Sequence, residues 1–184
     1  MRQRAKVVPA ASGEVLEIGF GSGLNLSFYD DSKVQRLWAL DPAEEMWALG
    51  REKARRSSFP VEFLKATAEE VPLEARSVDT VVITYTLCTV PDASRALAQV
   101  ARVLRPGGQL LYCEHGVAPD EGTRKWQRRL NPIWRRLSGG CNLDRDIPAL
   151  IRDSGFRDLE HATMYIPGWK PASFNYWGRA VACA

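Results

Sequence analysis

The chain predicts an α/β fold in which a mostly parallel, seven-stranded sheet carries helices on both faces. Two observations point there. Val15-Leu16-Glu17-Ile18 is a short apolar run that enters the glycine turn Gly19-Phe20-Gly21-Ser22-Gly23, and Leu37-Trp38-Ala39-Leu40 is a second such run ending on Asp41. Beyond them, runs rich in β-branched residues keep alternating with helix-forming stretches, the rhythm of βα units.

The elements follow in order. After the first strand a short helix is expected over Leu24–Tyr29, then a second strand over Gln35–Leu40. Pro42 suits a first helical turn, and Ala43–Arg56 continues with helix formers and a basic end. Pro60–Leu64 reads as a third strand. Ser77–Thr84 is a fourth, whose unbroken apolar content suits a central strand covered on both faces. Asp92–Leu104 places Ala93, Leu97, Val100, Val103 and Leu104 at helical spacing, a core stripe. Pro106-Gly107-Gly108 should stop that helix and turn into a fifth strand, Gln109–Cys113. Helices are expected over Glu121–Leu137, where Asn131-Pro132 should kink or interrupt the run, and over Asp144–Ser154, ended by Gly155. Phe156–Ile166 and Phe174–Cys183 close the sheet, plausibly as a hairpin.

Composition excludes several classes. At 184 residues the chain reads as one domain (1–184), with 1–116 as its ligand-binding half and 117–184 as substrate-side helices and closing strands. A net charge of +3 is too small to imply nucleic-acid binding. No apolar run reaches the roughly 18–20 residues of a membrane span. The basic N-terminus lacks the apolar core of a secretory signal, so the expected location is cytoplasmic. Cys88, Cys113, Cys141 and Cys183 form no C-x-x-C pair, and only His115 and His161 could join them as ligands. No metal is expected, and the thiols read as free packing groups.

A strand, a glycine turn, a helix and a strand tipped by a carboxylate form the layout of a nucleoside site: glycines let the backbone approach, and the carboxylate accepts from ribose hydroxyls. The spacing is G-x-G-x-G after Glu17, not the G-x-G-x-x-G of pyrophosphate binders, and no basic residue opens the next helix. Glu17-Ile18-Gly19-Phe20-Gly21-Ser22-Gly23, Asp41, Ala66-Thr67-Ala68-Glu69-Glu70-Val71-Pro72-Leu73, Thr84–Val90 and Leu104-Arg105-Pro106-Gly107-Gly108 fall in an order that resembles class I S-adenosylmethionine (SAM)-dependent methyltransferases of the type 11 domain. The resemblance spans Gly13–Gly116. It implies a Rossmann-like sheet with its last strand antiparallel and inserted, SAM as cofactor and S-adenosylhomocysteine as product. By the same match Glu17, Gly19, Phe20, Gly21 and Gly23 wrap the methionine part, Asp41 and Pro42 bind the ribose region, and Met46 lies near the adenine or ribose. Thr67, Ala68 and Glu69 form the adenine turn, and Thr84 and Tyr85 stand at the amino-acid end. Thr67 replaces the family's usual aspartate, which should weaken the adenine contact. Blander roles stay open: Asp41 as a helix cap, Met46 as core, Cys88 as a packed thiol.

Methyl transfer from a sulfonium needs alignment above all, and a base only if the acceptor arrives protonated. His115, Tyr85 and Tyr112 are candidate proton acceptors, His115 at a strand's carboxyl end where α/β sheets bind ligands; a structural hydrogen-bonding role for it is equally open. Cys113-Glu114-His115-Gly116, Trp126, Asn131-Pro132-Ile133-Trp134 and Gly140-Cys141-Asn142-Leu143-Asp144-Arg145 extend the resemblance to the methyltransferase-like alkyl-thiol methyltransferases and their bacterial relatives. That implies a small lipophilic thiol as acceptor, with Cys88, His115, Trp126, Trp134 and Asn142 on the substrate side. Three other readings stay open: phospholipid head-group N-methylation, an NAD-dependent oxidoreductase, and a SAM-binding protein without activity. The basic amphipathic stretch near 121–137 reads either as a solvated lid or as a peripheral membrane contact.

Overall fold

The computed structural model describes residues 2–182; Cys183, expected at the end of the last strand, lies outside the described residues. Seven strands form one sheet: β1 (Gly13–Ile18), β2 (Val34–Leu40), β3 (Val61–Leu64), β4 (Val78–Thr84), β5 (Leu104–His115), β6 (Phe156–Tyr165) and β7 (Phe174–Ala182). Their order is β3-β2-β1-β4-β5-β7-β6. The first five strands pair in parallel, while β7 runs antiparallel to both β5 and β6, inserted between them as the family resemblance implied.

The helices are α1 (Glu44–Ala54), α2 (Ala93–Val103), α3 (Glu121–Leu137) and α4 (Ile147–Asp153). One face of the sheet packs Leu16, Ile18, Val81, Ile83 and Leu110 against α2 and α4 through Leu97, Val100, Ile147 and Ile151. On the other, Val15, Leu37, Ala39, Val82 and Leu111 pack under the N-terminal turns and the segment after β1 through Val7, Val8, Tyr29 and Phe59. α1 joins this second layer, Trp47 lying 5.5 Å from the Phe63 ring. Strand alternation divides β1 between the two layers, so Ile18 and Glu17 face opposite ways.

Three expected elements differ. The segment after β1 makes only a 3₁₀ turn, Leu26–Phe28, because its ends are held by side-chain bonds and not by a helical ladder. Pro106-Gly107-Gly108 does not end a turn before β5; it lies inside β5 as an irregularity in the pairing with β4, where Gly107 adopts φ 80°. Pro132 neither breaks nor ends α3, which is continuous over 17 residues. Among the described residues no helix is long and apolar enough to cross a membrane.

Candidate active site

The carboxyl ends of β1, β2 and β4, the turn after β3 and the start of α2 enclose a cleft of about 910 Å³. Gly19, Asp41, Pro42, Thr67, Ala68, Glu69 and Tyr85 line it, together with Ile18, Leu40, Thr86 and Thr89. Of the thirteen expected cofactor residues, these seven named first are therefore brought together. Gly19 has φ 78°, and a Cβ there would stand 2.0 Å from Thr86 Oγ1, so only glycine lets β1 end against the loop after β4. The Asp41 carboxylate accepts from the Gly21 amide at 2.8 Å and from the Ala43 amide at 2.9 Å. It thereby fixes the glycine turn to the tip of β2. It does not cap α1, whose N-cap is Ala43.

The other six expected cofactor residues sit elsewhere. Glu17 is turned by strand alternation away from the cleft and is 1% exposed. Its carboxylate accepts from Tyr29 Oη at 2.7 Å and Asn25 Nδ2 at 3.0 Å, and burial lifts its pKa from 4.5 to about 7. Thr84 faces the same layer, where Asn25 and the Arg4 guanidinium donate to its hydroxyl. Phe20 is buried edge-on against Phe63. Gly21 meets the cleft only through its amide bond to Asp41. Gly23 opens onto a separate cavity of about 790 Å³ beside Tyr29, Lys53 and Arg56. Met46 is exposed because the phase of α1 turns Trp47 and Gly50 inward instead.

The substrate-side residues gather at the same sheet edge, on the β5 side. Tyr85, at φ 54°, follows β4; its hydroxyl donates to Asn175 Oδ1 at 2.7 Å, and burial pushes its pKa far up, which disfavours the phenolate. Tyr112 is fully buried and pairs with His161 Nδ1 at 2.9 Å, away from the cleft, which removes it as a proton acceptor. His115 Nε2 lies 2.9 Å from Cys141 Sγ, and Trp134 Nε1 donates to that same sulfur at 3.2 Å. Cys88 and Cys141 share a hydrogen bond: it draws the Cys141 thiol well below the usual range, His115 adding to this, and pushes Cys88 up. For His115, burial lowers the pKa, and contact with Cys141 outweighs it. Cys88, Cys113 and Cys141 are free, buried thiols as expected, but Cys88 and Cys141, far apart in the sequence, meet beside His115. Asn142 holds the Cys88 carbonyl through both its backbone amide and its side chain, at 2.8 Å each. Trp126 is apart from this group, exposed in an apolar groove of about 680 Å³ with Leu130 and Trp169. Trp134 stacks on Trp169 at 5.5 Å and links that groove to Cys141.

Sequence reasoning passed over Glu114, Arg145 and Gln127. Glu114 is fully buried at the end of β5 and accepts from the amides of Thr86, Leu87 and Cys88 at 2.7, 3.0 and 3.3 Å; burial raises its pKa. Arg145 donates to the carbonyls of Leu87 and Val90. Gln127, also fully buried, ties α3 to Gly116, Ala118 and Pro171. The only signal for Glu114 was a charged residue inside an apolar strand.

This sheet, with its cleft between Gly19 and the carboxylate-tipped second strand, has the layout of a nucleoside-binding site. A methyltransferase domain profile matches residues 16–112. A human thiol S-methyltransferase is 33% identical over 183 residues, covering 96% of this chain and 74% of that protein. A phosphatidylethanolamine N-methyltransferase of Cereibacter sphaeroides is 36% identical over 123 residues, 66% of this chain and 59% of that protein. The fold is shared with the crystal structure of a SAM-dependent methyltransferase from Thermotoga maritima, with a TM-score of 0.70 at 21% identity over 99% of this chain and 88% of that one. The chain belongs to the methyltransferase domain family and is a SAM-dependent methyltransferase. The cleft fits that cofactor in two observable ways: Gly19 lets β1 end close against the loop after β4 at the cleft wall, and Asp41 stands at the tip of β2 where a ribose would be met.

Proposed function

We propose that the protein methylates the sulfur of a small lipophilic thiol in the cytoplasm. SAM supplies an electrophilic methyl carbon on a sulfonium that is already a good leaving group. What remains for the chain is to hold donor and acceptor in line, which is worth several kcal/mol of barrier. Asp41 and Pro42 bind the ribose region, and Thr67, Ala68 and Glu69 the adenine. Gly19 and the Gly21 backbone, braced by Glu17 and Thr84 from behind, carry the methionine end toward Tyr85.

The observation that carries the thiol reading is what lies next to Tyr85. The wall continues through Thr86 and Thr89, on either side of Cys88, whose sulfur lies beside His115 and Cys141, and the Glu114 carboxylate near them is already used by three amides. An acceptor with a thiol pKa near 8.5 sheds its proton without a strong base. Alcohols and carbon acids do not. The similarity to a thiol S-methyltransferase over nearly the whole chain supports the same choice.

A second reading, methylation of a phospholipid head-group amine, is favoured by α3, which exposes Trp126, Ile133 and Leu137 beside Arg128, Arg129, Arg135 and Arg136. In either case α3 is read as a peripheral membrane contact through these residues. SAM consumption decides between the two. Turnover with soluble alkyl thiols and none with detergent-solubilised phosphatidylethanolamine is expected; the reverse result overturns the thiol reading.

A further inference from the structure

Cys88 follows β4, His115 ends β5 and Cys141 follows α3, and their ligand atoms lie within 4.8 Å of one another. We infer that these three side chains form a zinc-type metal site whose open fourth position receives the acceptor sulfur. The inference rests on the thiol reading above and deepens it.

The donor set is the first argument. Two thiols and one imidazole are the soft and borderline ligands that zinc selects, and three protein ligands with a vacant fourth position are the pattern of catalytic rather than structural zinc. Geometry is the second. With metal–sulfur bonds of about 2.3 Å and metal–nitrogen bonds of about 2.0 Å, tetrahedral ligands stand roughly 3.5–3.8 Å apart. The contact of 2.9 Å between His115 Nε2 and Cys141 Sγ and the outer limit of 4.8 Å bracket that spacing, so only small side-chain shifts separate the present arrangement from a ligating one. The third is the surroundings. Nε2 is the ring nitrogen turned toward Cys141 and is the one placed to ligate, while Nδ1 is buried with no partner among the described residues. Trp134 Nε1 donates to Cys141 Sγ and Asn142 fixes the Cys88 carbonyl, the outer contacts that orient metal ligands. Location is the last. Thr86, Thr89 and Gly139, from the loops that carry Cys88 and Cys141, line the cofactor cleft, which brings the loops of the cluster to the cleft wall.

The balance of the step is simple. The acceptor's S–H proton leaves to solvent and its sulfur takes the open position. That sulfur then forms a bond to the methyl carbon while the sulfonium S–C bond breaks, its electron pair remaining on S-adenosylhomocysteine. No oxidant or reductant is needed, and the metal keeps its charge.

The test is metal binding itself. Wild-type protein prepared under reducing conditions and dialysed against zinc should retain one equivalent by elemental analysis. Cobalt(II) in its place should give a thiolate-to-metal charge-transfer absorption that changes on adding a small alkyl thiol. Cys88→Ser and Cys141→Ser should each lower zinc affinity more than about tenfold in competition with a chromophoric chelator, whereas Cys113→Ala should not. Thermal melting and SAM calorimetry on each variant report whether it folds. The inference is overturned if folded wild-type protein that binds SAM takes up no zinc, if both serine variants keep full affinity, or if the two cysteines are found as a disulfide under those conditions. Active protein without metal would sink this inference and leave the thiol reading standing. Full zinc occupancy with no thiol turnover and no thiol-dependent spectral change would sink both.

Discussion

Two buried glutamates stand at strand tips on the same edge of the sheet, and they are satisfied in opposite ways. Glu17, one residue before the end of β1, accepts from two side chains, Asn25 and Tyr29. Glu114, near the end of β5, accepts from three backbone amides of the loop after β4. The first braces the cofactor turn with donors that only particular residues supply. The second organises the loop after β4, which borders the cleft, with donors that any residue supplies. Removing Glu17 therefore leaves groups that can turn toward other partners, while removing Glu114 strands amides that cannot rotate away.

The sharpest break of that contrast is Glu114→Ala. Three N–H groups, two of them in buried bonds, lose their acceptor at once, and the expected destabilisation is about 3–5 kcal/mol, read as a lower denaturant midpoint in urea. Glu114→Gln, which keeps one acceptor oxygen, should recover part of it. A destabilisation below about 1 kcal/mol for the alanine variant would show that the loop is held by Arg145 and Asn142 instead.

The next effect belongs to Glu17 and depends on pH. Its pKa is about 7 in the folded protein against an ordinary 4.5, so the folded state holds the proton more tightly. Below about pH 4.5 the group is protonated whether folded or not, and its contribution to stability is fully present. As pH rises toward 7 the unfolded chain releases its proton first, and up to about 3 kcal/mol is lost across that window. Denaturation series at pH 5 and pH 8 should show a smaller drop in Glu17→Gln than in wild type. Equal drops would place the titration elsewhere.

Smaller effects probe the cleft. Asp41→Ala removes a charged acceptor and should weaken SAM binding by about 1.5–3 kcal/mol, roughly ten- to a hundredfold by calorimetry. Thr67→Asp replaces a neutral acceptor with a charged one and should tighten SAM by about 1 kcal/mol or less. Looser binding by the aspartate variant would show that Thr67 does not meet the adenine.

The same contrast explains what the sequence disclosed. The first half was legible because its signals are local: Gly19 sits one residue past a strand, Asp41 tips the next, and the βα rhythm marked the strands, while the inserted antiparallel strand came only from the family resemblance. Pointing directions were harder. Glu17 and Ile18 are neighbours, and only the way β1 lies between two layers decides which one reaches the cleft. Met46 and Trp47 differ by the phase of one helix. The substrate side was least legible because its partners are distant: Cys88 and Cys141 meet only after the β5 and α3 crossovers, and Glu114 bonds to backbone, which no residue type announces. The irregular β5 hid for a related reason, since Pro106-Gly107-Gly108 serves a bulge as readily as a turn.

The segment from Thr86 to Val90 is gripped by Glu114, Asn142 and Arg145 on one side and borders the nucleoside cleft on the other. An acceptor that tightens this segment would change how strongly the donor is retained, and by thermodynamic reciprocity the donor would change the hold on the acceptor by the same factor. The two ligands are therefore expected to bind as a cooperative pair, with the spent nucleoside leaving more readily once the methylated product has gone.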